Sequence, residues 1–182
     1  MLRLLRWPVM AALGFTLSAC ATMNVSSHVE RGLDFTQYHT WQWAPADALP
    51  ASDARLDNPF FQDHFQGAVE KALSARHLVQ MPSDSAAPDL LVHYHANIAP
   101  RMDVNRGDQS TGACYDADCT VRVLDTDVST IVLDVVDAHT NRLIWRGWAQ
   151  NPIEGVLDHP QRFESRISQA VTRMFARFPR SI

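Results

Sequence analysis

The chain has 182 residues, 46% hydrophobic and 20% charged, which is enough for one domain with a true core, short for two, and too apolar for extended disorder. Its formal charge is −4, and its 16 basic residues, all arginine except Lys71, form no basic stripe. That balance excludes nucleic acid as the main partner, because neutralising phosphates needs a concentrated positive face.

The first segment reads as an address. Met1 to Arg6 carries Arg3 and Arg6, Trp7 to Leu17 is a short apolar run, and small residues lead to Cys20, the layout of a secretory signal. The run is too short to cross the ~30 Å hydrocarbon core of a bilayer as a helix. Leu17-Ser18-Ala19-Cys20 resembles the bacterial lipobox, in which cleavage falls just before the cysteine and that cysteine is then acylated. Residues 1–19 are therefore expected to be a cleaved signal peptide and Cys20 the lipid attachment site, with no cofactor beyond that covalent lipid. Two or more acyl chains, at ~0.8 kcal/mol per buried CH₂, hold a protein stably on a membrane. Loss of Arg3 and Arg6 with the signal makes the mature chain more acidic than the precursor. Ala21 at the second mature position resembles the enterobacterial sorting pattern for the outer membrane, with the body facing the periplasm.

Residues 20–28 are small and polar and read as anchor and tether, leaving residues 29–182 as a single domain. Tyr38-His39-Thr40-Trp41-Gln42-Trp43 is aromatic and β-prone before Ala44-Pro45 ends it, and Ala46 to Leu56 reads as a loop. Asn58-Pro59 opens a helix to about Arg76, in which Phe61, Phe65, Ala68, Val69, Ala72 and Leu73 recur at helical spacing. Met81 to Pro88 is a linker. Leu90 to Ile98 alternates, with Leu90, Val92, Tyr94, Ala96 and Ile98 on one face and Leu91, His93, His95 and Asn97 on the other.

Pro100 to Asp118 is polar and turn-rich. The β-branched stretch from Thr120 to Val136 and the segment from Leu143 to Ala149 are expected to pair as a hairpin across Asp137-Ala138-His139-Thr140-Asn141. His159-Pro160 opens a second helix with a stripe of Phe163, Ile167, Ala170, Val171, Met174 and Phe175, stopped by Pro179. This order predicts an α+β two-layer sandwich: a mainly antiparallel sheet with two helices packed on one face.

Asp34-Phe35 with Tyr38, Thr40, Trp43 and Pro45, then Asp89-Leu90-Leu91-Val92 with Tyr94, then Leu133-Asp134-Val135-Val136-Asp137, Trp145-Arg146-Gly147 and Phe178-Pro179, together resemble a bacterial lipoprotein family known only as a domain of unknown function, number 4136. The resemblance covers nearly the whole mature chain. It implies a lipid-anchored periplasmic α+β domain and brings no catalytic residues with it.

Chemistry-bearing residues are few. Cys114 and Cys119 form an even pair in an oxidising compartment and read as a disulfide contributing ~2 kcal/mol by closing a short loop. A redox pair or thiolate metal ligands are the alternatives, against which the C-x4-C spacing argues. His93 and His95 lie two apart on one strand face and are candidate metal ligands, with Asp116 or Asp118 as conceivable additions. Asp134, Asp137, His139 and Ser129 include the residue types of a hydrolase triad, but no Gly-x-Ser-x-Gly elbow accompanies them, and Asp137 reads as the cap of the hairpin turn.

Trp41, Trp43, Trp148 and Arg146 are candidate interaction residues, and Trp145 is expected to pack inward beside the space left by Gly147. The expected function is that of a non-enzymatic interaction or structural module of the cell envelope, bound to the membrane by its lipid and to an envelope protein or ligand by its body. The alternative is a small-ligand or metal-binding lipoprotein that uses His93, His95 and the Cys114 to Cys119 loop; an uncharacterised envelope enzyme is the third reading.

Overall fold

A computed structural model describes residues 23–44, 55–56, 59–82, 87–104, 123–153 and 156–179. The signal segment, Cys20, Asp116, Asp118 and the Cys114–Cys119 pair lie outside the described residues.

The elements run β1 (Asn24–Val29), a 3₁₀ turn (Phe35–Gln37), β2 (Thr40–Trp43), α1 (Pro59–Ser74), β3 (Val79–Gln80), β4 (Leu90–Val104), β5 (Val123–Asp137), β6 (Arg142–Pro152) and α2 (Pro160–Phe175). They form one six-stranded sheet in the order β1-β6-β5-β4-β2-β3, antiparallel from β1 to β4 and parallel where β2 meets β4 and β3. The sandwich has the class the alternation and the two helical stripes predict.

Both helices are held by the stripes read from the sequence. Phe61, Phe65, Val69 and Leu73 of α1 and Phe163, Ile167, Ala170, Val171, Met174 and Phe175 of α2 are all buried. They cover the sheet face formed by Trp41, Leu90, Val92, Ala96, Ile131, Leu133, Val135, Trp145 and Ala149. Helix α1 ends in a Schellman motif: Leu78 N–H donates to the Leu73 carbonyl at 3.3 Å and His77 N–H to the Ser74 carbonyl at 2.9 Å, with His77 in the left-handed region at φ 62°. Among the described residues no helix is long and apolar enough to cross a membrane.

Three elements differ from the sequence reading. The polar segment from Asn24, assigned there to the tether, is edge strand β1, because Val25 and Val29 alternate inward against the core while their neighbours face outward. Val79–Gln80 adds a short strand beside β2, its exposed residues giving no hydrophobic signal. And β4 does not stop at Ile98: it runs through Pro100 to Val104, paired residue by residue with β5 as far as Val123. Beyond Pro152, the last residue of β6 in the ladder, β4 and β5 thus continue as a two-stranded arm, where Pro100 fits because pairing on one side only leaves its missing N–H harmless.

Candidate functional site

Helices cover one face of the sheet, and the other collects the outward residues of four strands. The ladder places His93, Asp134, Arg146 and His28 in one row across β4, β5, β6 and β1, and His95, Val132, Trp148 and Ser26 in the next. Leu91 and Val136, followed by Leu143 beyond the bulge in β6, make a third. Trp148, Val132, Leu91, Val136 and Leu143 are half-buried, so the face carries apolar surface around a charged centre.

That centre is a bidentate pair: Arg146 Nε donates to Asp134 Oδ1 and Nη2 to Asp134 Oδ2, both at 2.6 Å. Asp134 is enclosed, with 9% of its side chain exposed, whereas Arg146 keeps 46%. Hydrogen bonding to that carboxylate raises the guanidinium above its ordinary value, so Arg146 stays charged at any physiological pH. The charge of Asp134 is spent on Arg146, which leaves an outward-facing cation with His28 beside it in the same row and the Trp148 indole in the next.

A second polar cluster closes the end of the sheet where β2, β4 and the β5–β6 turn meet. Asp89 Oδ2 accepts the backbone N–H groups of His39 and Thr40, both at 2.9 Å, and Asp89 N–H donates to Thr40 Oγ1 at 3.0 Å. Asp137 Oδ1 accepts the N–H groups of His139 and Thr140 at 2.9 Å each, which makes it the cap of the hairpin turn, while its Oδ2 accepts the Tyr38 hydroxyl at 2.8 Å. Partial burial opposes ionisation of both carboxyls, yet the donors converging on them outweigh it and hold both below the usual aspartate range. Burial and the Asp137 carboxylate push Tyr38 up to about 12. Asp89 Oδ2 and Asp137 Oδ2 bond across to the β2 region and Asp137 Oδ1 holds the hairpin turn, so the cluster is a latch of the fold.

The candidates from the sequence separate accordingly. Trp41 is 1% exposed, and it is core: parallel pairing of β2 with β4 turns its side chain under the helices, which removes it from the interaction set. Trp43 follows it inward, edge-on to Trp41 and Tyr94, with its Nε1 donating to Glu70 Oε1 at 3.2 Å. Trp148 and Arg146 are the two that face outward.

His93 and His95 share the outer face as their spacing requires, but the ladder sets Asp134, already paired, opposite one and Val132 opposite the other. Among the described residues no group of three or more His, Cys, Asp or Glu gathers to hold a metal ion. The triad types are dispersed: Ser129 donates to the Asn151 carbonyl at 3.2 Å, and the strand from there to Asp137 spans about 27 Å.

Sequence reasoning missed Arg76. Its Nη1 donates to the Ala72 carbonyl at 2.8 Å, its Nη2 donates to the Phe175 carbonyl, and its guanidinium lies 5.0 Å from the Phe175 ring centre. One cation thereby serves the C-terminal ends of both helices, where the helix dipoles favour positive charge. The contact joins residues 99 apart, and no local pattern announces it.

The family model described as Domain of unknown function (DUF4136) matches residues 25–180 of the chain. The protein belongs to that family. No curated protein matches it. Among solved structures it is similar to a PDZ domain protein from Parabacteroides distasonis, with 14% identity and a TM-score of 0.52 over 86% of this chain and 36% of that one, so this chain spans about a third of that neighbour's length. It is also similar to a PelC dodecamer from Paraburkholderia phytofirmans, with 9% identity and a TM-score of 0.48 over 85% of this chain and 96% of that one. A minor lipoprotein from Acinetobacter baumannii follows at 10% identity and a TM-score of 0.32, covering 76% and 94%. At 14% identity the likeness to the first of these is one of fold.

In this family member, the residues that carry the family resemblance meet one another. Tyr38 bonds Asp137, Thr40 bonds Asp89, Asp134 pairs with Arg146, and Phe178 packs on Phe35 and Trp145 with ring centres 5.7 and 5.1 Å away. These contacts are staples of the fold. Of these residues, Arg146 combines such a bond with an exposed position at the centre of the sheet face that, among the described residues, carries no helix.

Proposed function

We propose that the protein is an envelope lipoprotein, held by acyl chains on Cys20 at the periplasmic side of the outer membrane, and that its body is a non-enzymatic interaction module. Its contact surface is the helix-free sheet face around Trp148 and Arg146. What carries this reading is the placement of Trp148, facing away from the core beside the Arg146–Asp134 pair and flanked by Val132. Tryptophan and arginine are the side chains most often responsible for binding energy, the first through large rigid apolar area and the second through planar hydrogen bonding. The pair with Asp134 pre-orders the guanidinium, so little of its rotamer entropy remains to be lost on binding.

The test is photo-crosslinking in cells from a benzophenone amino acid at position 148, with the same residue at Lys71 on α1 as control, alongside fractionation and intact mass of the native and Cys20→Ala forms. The expected result is a mature mass beginning at an acylated Cys20 and a discrete adduct from position 148 that Lys71 does not give. An unacylated product found free of membranes would overturn the anchor. Turnover of an envelope substrate that vanished on replacing one polar residue would overturn the non-enzymatic role.

A further inference from the structure

The charge of this chain is unevenly placed. Overall the protein is acidic, yet from Ser165 to Ile182 it carries Arg166, Arg173, Arg177 and Arg180 and no Asp or Glu. Two of these arginines are tied to the start of the folded body: Arg173 Nη1 donates to the Met23 carbonyl at 3.5 Å, and Arg177 Nη1 to the Val25 carbonyl at 2.7 Å. Glu30 N–H donates to the Ile144 carbonyl, so the backbone groups of the even-numbered residues of β1 bond to β6 and those of the odd-numbered ones face away from it, along the open edge. Arg173 of α2 and Arg177 just past its end therefore reach around the outer edge of the sheet beside the first residues of β1.

Both residues are exposed, each guanidinium has donors beyond the one used on the strand, and among the described residues neither meets a carboxylate within ion-pair distance. The surrounding surface is neutral: Ser165, Ser168, Gln169 and Thr172 on α2, Ala176 just past it, and Asn24, Ser26 and Ser27 on β1. The nearest acid along β1 is Glu30 at its far end, already paired with Arg142.

We infer that the edge formed by β1 and the C-terminal half of α2 is a membrane-docking surface, on which Arg173 and Arg177 bind the headgroups of anionic phospholipid in the bilayer that holds the anchor. This rests on the reading of Cys20 as the acylated residue. Three residues of chain lead from Cys20 to Met23, a reach of at most about 11 Å, so the body cannot leave the bilayer surface by more than one or two Debye lengths, each ~8 Å. On so short a leash docking is an intramolecular step, and a modest attraction decides the orientation. An arginine near an anionic surface is worth about a fivefold shift in the docked-to-free ratio. With this edge against the lipid, the helix-free face around Trp148 stands clear of the membrane beside it.

The experiment uses the full acylated protein, with a fluorescent amino acid at the exposed Thr172, in vesicles of phosphatidylcholine alone or mixed with phosphatidylglycerol; headgroup-labelled lipid is the energy-transfer acceptor and flotation reports attachment. The expected result is flotation with both lipids, but strong transfer only with phosphatidylglycerol. That transfer falls with rising salt, and the docked-to-free ratio drops about fivefold for each of Arg173→Gln and Arg177→Gln and is retained by the lysine variants. Since the salt titration needs no substitution, it decides the matter even if a variant folds poorly. Flotation with transfer indifferent to lipid charge and salt would overturn the docking surface and leave the anchor standing; failure to float would overturn the anchor and the docking surface with it.

Discussion

Gly147 leaves no room for a side chain. A Cβ built on it would sit 2.3 Å from Cη2 of Trp145 and 2.8 Å from Cζ2, because the Trp145 ring folds back across the strand to stack on Phe175. Trp145 is fully buried and cannot swing away without opening the core. Gly147→Ala is therefore expected to cost about 3 kcal/mol, the upper part of the overpacking range, read as a lowered urea midpoint with unchanged slope. That Trp145 packs inward, that Arg146 points outward and that Gly147 makes space could be read from three adjacent letters. That Arg146 grips Asp134 could not, because the pair is made by strand register.

At the scale of elements, α1 and α2 were legible because a helix stripe is local: its period of 3.6 appears in any window long enough to hold two turns. The end of α1 shows where local chemistry is imperfect. His77 occupies the left-handed position of the Schellman motif, at φ 62°, where a Cβ is disfavoured. His77→Gly is expected to stabilise the protein by ~1 kcal/mol, raising Tm by roughly 3 °C in a domain of this size. Differential scanning calorimetry checks this, and an unchanged or lower Tm would show that the imidazole makes compensating contacts. The short strands were less legible for the opposite reason. β1 and β3 are edges, where no residue is fully buried and the alternating signal thins to one or two valines.

For the molecule as a whole, the latch of Asp89, Asp137 and Tyr38 sets how stability responds to pH. The carboxyls are held below the unfolded value of 3.8, so their contribution is complete above that value and is lost as pH falls from about 4 through the lowered folded values. Tyr38 acts in the other direction: its value rises from 10.0 to about 12, so its contribution is complete below 10 and is lost as pH climbs toward 12. Thermal melts across pH are expected to show both limbs, with Asp137→Asn flattening the acid limb and Tyr38→Phe the alkaline one. A Tyr38→Phe protein with the native alkaline limb would mean that the phenol does not titrate against the fold.

The sequence by itself determined the α+β class, both helices with their buried faces, the alternation of β4, the hairpin capped by Asp137 and the family. These are properties of neighbouring residues, where periodicity, turn chemistry and motif spacing act over a few positions. Only the tertiary structure decided that Trp41 is core while Trp148 is surface, that His93 and His95 stand opposite a spoken-for carboxylate and a valine, that Arg76 closes two helices, and that Arg173 and Arg177 sit where the chain enters the sheet. Each depends on which strand lies beside which and in what register. That pairing is settled by burying both helical stripes against one face at once, a condition on the whole chain that no local window contains.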